Sequence, residues 1–135
     1  DGLRDVKPQI ETDGEHPAGN HVVIEVAEDA YLYIAHLQRG SLLVAEGDRV
    51  AAGQEIGRVG NSGNTTEPHI HIHLQDMPDM FAYNSAGAIT SFTDAIGLPL
   101  PFSDIEVNGK PFVETVPLGG QFAQQRGEPE CCTGL

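Results

Sequence analysis

Between Pro68 and Leu74 the chain reads Pro-His-Ile-His-Ile-His-Leu, a strict alternation of imidazole and aliphatic side chains. Only an extended strand gives that pattern a physical meaning, because successive strand side chains point to opposite faces, whereas a helix would scatter them around its axis. His69, His71 and His73 therefore share one face, while Ile70, Ile72 and Leu74 share the other, which is expected to face the core. The neighbouring sequence supplies partners for such a strand. His21-Val22-Val23-Ile24-Glu25-Val26 is dense in β-branched residues, Glu28-Asp29 reads as a turn, and Tyr31-Leu32-Tyr33-Ile34-Ala35-His36-Leu37 returns, with His36 near the strand end.

The rest of the chain is broken too often for long helices. Sixteen glycines and nine prolines interrupt short apolar runs, so the expected fold class is all-β, a small antiparallel sheet or sandwich with an irregular C-terminal extension. Two short strands punctuated by glycine are expected over residues 41–60, followed by a polar loop at Asn61-Ser62-Gly63-Asn64-Thr65-Thr66. Residues 86–97 read as a short helix or strand, and Ile105 to Val113 as a hairpin turning at Asn108-Gly109. In this division residues 1–18 are an N-terminal loop, 19–76 the core, 77–118 an extension packed on it, and 119–135 a disordered tail without apolar periodicity.

Charge removes several function classes. Twenty acidic residues against seven basic ones leave a formal charge of -13, which repels nucleic acid and anionic membranes. As a steering field it suits a cationic substrate, such as a peptide with free amines, although a solvated surface explains it as well. No stretch approaches the roughly 20 apolar residues of a membrane span, and no basic segment leads into an apolar run as in a signal peptide. Cys131 and Cys132 are adjacent in the polar tail, where the separation a disulfide needs between Cα atoms argues against their pairing with each other.

The chemistry concentrates in histidine. Three imidazoles on one strand face gain nothing from one another when neutral and repel when protonated, so either a ligand or a solvated, hydrogen-bonded face must account for them. Zinc is one such ligand, since it takes imidazole nitrogen and a strand can offer alternate side chains from one face. His36 alone, at the end of an apolar strand, reads first as a satisfied structural residue, and His21 as an exposed strand-end residue before a groove wall.

Taken together, Tyr33-Ile34-Ala35-His36-Leu37, Gly47-Asp48-Arg49-Val50-Ala51-Ala52-Gly53-Gln54-Glu55-Ile56-Gly57, Gly60-Asn61-Ser62-Gly63 and Pro68-His69-Ile70-His71 form a series. In order and spacing it resembles the lysostaphin-type zinc metallopeptidases, which act as murein endopeptidases. The resemblance covers about 58 residues. It implies a domain related to the duplicated hybrid motif, a zinc cofactor bound by His71, and His36 and His69 acting beside the metal on the peptides of bacterial cell-wall peptidoglycan. It also implies an exported protein. Zinc in such a site acidifies a bound water and polarises the scissile carbonyl.

Two departures qualify this resemblance. His73 stands where relatives often carry an acidic residue, and so takes a supporting or groove position. The family's other two zinc ligands come from an upstream His-x-x-x-Asp, and the nearest string, His16-Pro17-Ala18-Gly19-Asn20, ends in Asn and reads as coincidence. The expectation is that the ligand-bearing strands precede Asp1 and that the chain as given is incomplete at the metal. The alternatives are a non-catalytic domain of the same fold that binds murein or regulates a partner amidase, and a biotinyl/lipoyl-type carrier. The carrier reading lacks a lysine presented in a tight hairpin and leaves the histidine strand unexplained.

Overall fold

The computed structural model describes residues 2–6, 13–116 and 123–125. It is all-β, and the described residues form two compact units that divide after Leu98. The first unit is built on a four-stranded sheet ordered β1-β2-β3-β6, with β1 at Asn20–Ala27, β2 at Ala30–Leu37, β3 at His71–Gln75 and β6 at Gly97–Leu98. All three pairings are antiparallel. The short strands β4 (Phe81–Tyr83) and β5 (Ile89–Phe92) make a separate two-stranded sheet in this unit.

The β1–β2 hairpin forms where the β-branched run predicts it, and Asp29 takes the positive φ its tight turn demands. The second unit holds β7 (Phe102–Val107) and β8 (Lys110–Thr115), joined at Asn108-Gly109, both with positive φ as a type I′ turn requires. Ala123–Gln125, within the stretch expected to lack structure, pairs as β9 with the other edge of β7. A strand edge with unpaired backbone groups accepts a short partner whatever its apolar pattern, so composition could not signal it. Cys131, Cys132 and most of the expected tail lie outside the described residues.

Two expectations are corrected. Residues 41–58 form no regular strands; Leu43 N–H donates to Ile56 O, Gln38 N–H donates to Arg58 O, and Val59 and Gly60 make isolated bridges to Leu37 and His69. Turns at Glu46-Gly47 and Ala52-Gly53 fall too close together for a ladder to develop between them.

The second correction concerns which face of β3 is covered. Ile70 and Ile72 are 37% and 39% exposed, and the core lies on the opposite face, where Tyr33 and Ala35 of β2 pack with Ala18 and Phe81, flanked by Val23, Met80 and Ile89. Register pairs Ala35 with His71 and Tyr33 with His73, so the histidines stand on the same face as this cluster. Alternation tells which side chains share a face; what covers the face depends on chain segments distant in sequence.

Close backbone contacts lock the 61–65 loop against the chain before β1. Val6 N–H donates to Asn61 O, and Asp5 bridges Ser62. Gly63, at φ 89°, lies so near residues 17–19 that a Cβ there would strike the Gly19 backbone and come within 2.6 Å of Pro17 O. Gly63→Ala is therefore expected to cost about 3 kcal/mol or more, combining left-handed strain with a backbone clash. Urea unfolding at unchanged slope is the check; a loss under about 0.5 kcal/mol would show that this contact does not hold the loop.

Candidate functional site

His36 owes its direction to an irregularity. Strict alternation along β2 would put Tyr33, Ala35 and Leu37 on one face and His36 on the other, away from His71. Between the pairs Asn20–Leu37 and Val22–Ile34, however, β2 carries one residue more than β1, and His36 has a φ of 63°. This bulge, with its left-handed residue, swings the ring onto the Tyr33–Ala35 side. Such a conformation costs a non-glycine residue about 1–3 kcal/mol. It is held by the His36 N–H donating to Ala18 O at 3.0 Å and by the ring Nδ1 donating to Ser62 O at 2.9 Å.

Three of the predicted imidazoles meet as a result. The ring centroids of His36 and His69 are 4.8 Å apart, and those of His36 and His71 are 5.9 Å apart. His36 is 7% exposed, whereas His69 and His71 lie open to solvent, so the cluster is a shallow surface site with one buried wall. His69 precedes β3, placed by its bridge to Gly60, and its Nδ1 donates to Glu67 O at 2.8 Å with the Thr65 hydroxyl 3.2 Å away. Carbonyl oxygens only accept, so both His36 and His69 carry hydrogen on Nδ1 and present Nε2 as the nitrogen free for chemistry.

Burial pushes the His36 imidazole below its ordinary pKa, partly opposed by the Ser62 hydrogen bond and reinforced by His69. His71 is also pushed down, first by desolvation and then by His73, His36 and His69. Both rings therefore favour the neutral form.

His73 is half-buried, next to His71 at a centroid distance of 5.0 Å. Its ring stacks on Tyr33, and Tyr33 stacks in turn on His21, each pair at 5.1 Å and nearly parallel. His21 also donates from Nδ1 to Gly19 O and lines a groove of about 1220 Å³ with Val22, Ile24, Leu42 and Arg49. His36, His69 and His71 do not line that groove, so the groove and the histidine cluster are different places.

The supporting polar residues were not legible as site residues from composition or periodicity. Ser62 is fully buried; its hydroxyl donates to Leu37 O and accepts from Asn20 N, while its carbonyl holds His36. Asn20 uses its whole amide, accepting from the N–H groups of Gly2 and Leu3 and donating to Leu3 O and Leu37 O. The available signal was the glycine-flanked polar run Gly60-Asn61-Ser62-Gly63-Asn64 between two strands.

As a metal site the described residues are insufficient. Among them no group of three or more His, Cys, Asp or Glu side chains could hold a metal ion. His16 and Asn20, the nearest upstream string, are engaged elsewhere: His16 with Asp13 at 3.1 Å, and Asn20 as above. Only His71 remains from the predicted ligands, and one imidazole does not make a zinc site.

The site is a histidine cluster on an antiparallel sheet, and sequence comparison gives the family. Residues 8–82 match Peptidase family M23, and the chain belongs to it. It is 43% identical over 60 residues to the peptidoglycan DD-endopeptidase ShyA of Vibrio cholerae, a match covering 44% of this chain and 14% of that protein. It is 40% identical over 61 residues to Endolysin 2638A of Staphylococcus phage 2638A, covering 44% and 12%. ShyC of Vibrio cholerae, also a peptidoglycan DD-endopeptidase, is 43% identical over 53 residues, 39% of this chain and 12% of the relative. The chain thus spans a small part of these curated relatives, and no solved structure matches it.

The stacked Tyr33 gives a measurable signature. Burial pushes its phenol from the ordinary 10.0 up to about 12, with Tyr83 and Asp79 adding negative charge nearby. A raised acid pKa means that the unfolded chain ionises first, so the contribution to stability is complete below 10.0 and is lost as pH rises towards about 12. Between those limits the native protein should lose stability faster than Tyr33→Phe in denaturant titrations. Parallel losses would show that the phenol is not desolvated.

Proposed function

We propose that this chain belongs to a zinc metalloendopeptidase that hydrolyses peptide bonds in bacterial cell-wall peptidoglycan. In this reading His36 and His69 are catalytic, His71 is a zinc ligand, and the protein is exported to where its substrate lies. The observation that carries it is the pair of imidazoles 4.8 Å apart, each with Nδ1 held by a backbone carbonyl, which leaves the Nε2 of each ring as the nitrogen available for proton transfer. Membership of Peptidase family M23 and the similarity to the peptidoglycan DD-endopeptidases ShyA and ShyC and to the phage endolysin support the reaction and substrate class.

Amide hydrolysis requires a base to take a proton from the attacking water and an acid to deliver one to the leaving amine. His36, kept neutral by burial, is suited to accept a proton at Nε2. Its imidazolium would retain the Nδ1–H bond to Ser62 O, so the ring need not turn during transfer. His69, also anchored through Nδ1 and open to solvent, can hydrogen-bond the substrate or hand on a proton from its own Nε2. Because the described residues do not make up a complete metal site, the proton chemistry is assigned to these two side chains alone.

The same shortfall in metal ligands favours a second reading, a non-catalytic domain of this fold that binds murein or regulates a partner amidase. The two separate when the protein is assayed for bound zinc and for release of peptides from purified murein. His71→Ala should lose zinc and activity, and His36→Ala or His69→Ala should retain zinc while slowing hydrolysis by about 100-fold or more. Hydrolysis that survives His71→Ala sinks the enzyme reading. A protein that binds murein without cutting it establishes the second.

A further inference from the structure

We infer that His73 and Gln75 are positioning residues that fix His71 in the tautomer protonated at Nε2, opposite to the tautomer of His36 and His69. The inference rests on reading His71 as a functional nitrogen donor, but its geometry stands by itself. His71 Nε2 lies 2.8 Å from His73 Nδ1, His73 Nε2 lies 2.8 Å from Gln75 Oε1, and Gln75 Nε2 donates to Met77 O at 2.7 Å.

Read from its far end, this chain of bonds has one direction. Met77 O can only accept, so the Gln75 amide nitrogen must face it and the amide oxygen must face His73. That oxygen in turn can only accept, so His73 carries hydrogen on Nε2. In the neutral pair His73 Nδ1 is then an acceptor, and the proton between the rings belongs to His71 Nε2. The second ring nitrogen of His71, Nδ1, is left with its lone pair free.

The relay has little freedom to rearrange. Gln75 is 3% exposed at the end of β3, where the register sets it opposite Tyr31. His73 is clamped across its ring by Tyr33, with planes 13° apart, as well as through its edges. An acidic side chain in place of His73 could accept from His71, but it could not transmit the constraint from Gln75, so this arrangement belongs to the His73–Gln75 combination. Anchored at the buried Gln75, a directional chain of hydrogen bonds of this kind favours one arrangement over its alternatives.

Nitrogen-15 correlation spectra of the histidine rings, recorded on the metal-free chain at a pH well above the ordinary histidine range, read the tautomers directly. Wild-type His71 and His73 should each show a single state protonated at Nε2, while His36 and His69 show Nδ1. Gln75→Leu should release His73 into a tautomer mixture. His73→Phe, which keeps the stack on Tyr33 but removes both nitrogens, should do the same to His71 and keeps the test open if the buried Gln75 variant fails to fold. A wild-type His71 that is mixed or protonated at Nδ1, or a His71 unchanged in His73→Phe, overturns the inference. Murein assays play no part in this readout, so failure of the enzyme reading leaves the relay standing, and failure of the relay leaves the enzyme reading to its own test.

Discussion

Ser62 ties together segments that the sequence keeps far apart. Its hydroxyl takes a hydrogen bond from Asn20 at the start of β1 and gives one to Leu37 at the end of β2, while its carbonyl fixes the ring of His36. A hydroxyl has one proton and two lone pairs, and the two partners on the strands use it from both sides. With the group fully buried, an unmade bond would leave polar atoms without water, a cost of about 1–3 kcal/mol for each. The loop, both strand ends and the strained His36 therefore depend on one another.

That dependence holds a shallow, solvent-facing cluster from its buried side. The three rings that approach each other come from different settings: His36 from a bulge, His69 from the approach to β3 and His71 from β3 itself. Each is anchored through one ring nitrogen, to backbone carbonyls for His36 and His69 and to a side-chain relay for His71. Anchoring one nitrogen of an imidazole decides which nitrogen the other partner meets, so the site is specified at the level of single hydrogens. The remaining burial around it comes from Tyr33, Ala35, Ala18 and Phe81, a small core for a small unit.

Much of the fold was legible. The hairpin of β1 and β2, the histidine strand and the Asn108-Gly109 turn all follow from local rules of branching, alternation and positive φ. Residues 41–58 defeated those rules, because closely spaced glycine turns and strand-like runs look alike until it is known whether neighbours hydrogen-bond. The open face of Ile70 and Ile72 defeated them too, since apolar side chains indicate a face able to be covered, and the described residues cover the other one.

By itself the sequence determined the chemical inventory: the residues of the Tyr33–Leu37 and Pro68–His71 segments, their family and the sharing of one strand face by His71 and His73. Alternation along β2 would have sent His36 to the opposite side. Only the tertiary structure decided otherwise, through an extra residue in β2 and a left-handed backbone held by Ala18 O and Ser62 O. The physical reason is that a bulge is stabilised by contacts from outside its own strand, here from residues 18 and 62, and a local pattern carries no record of them.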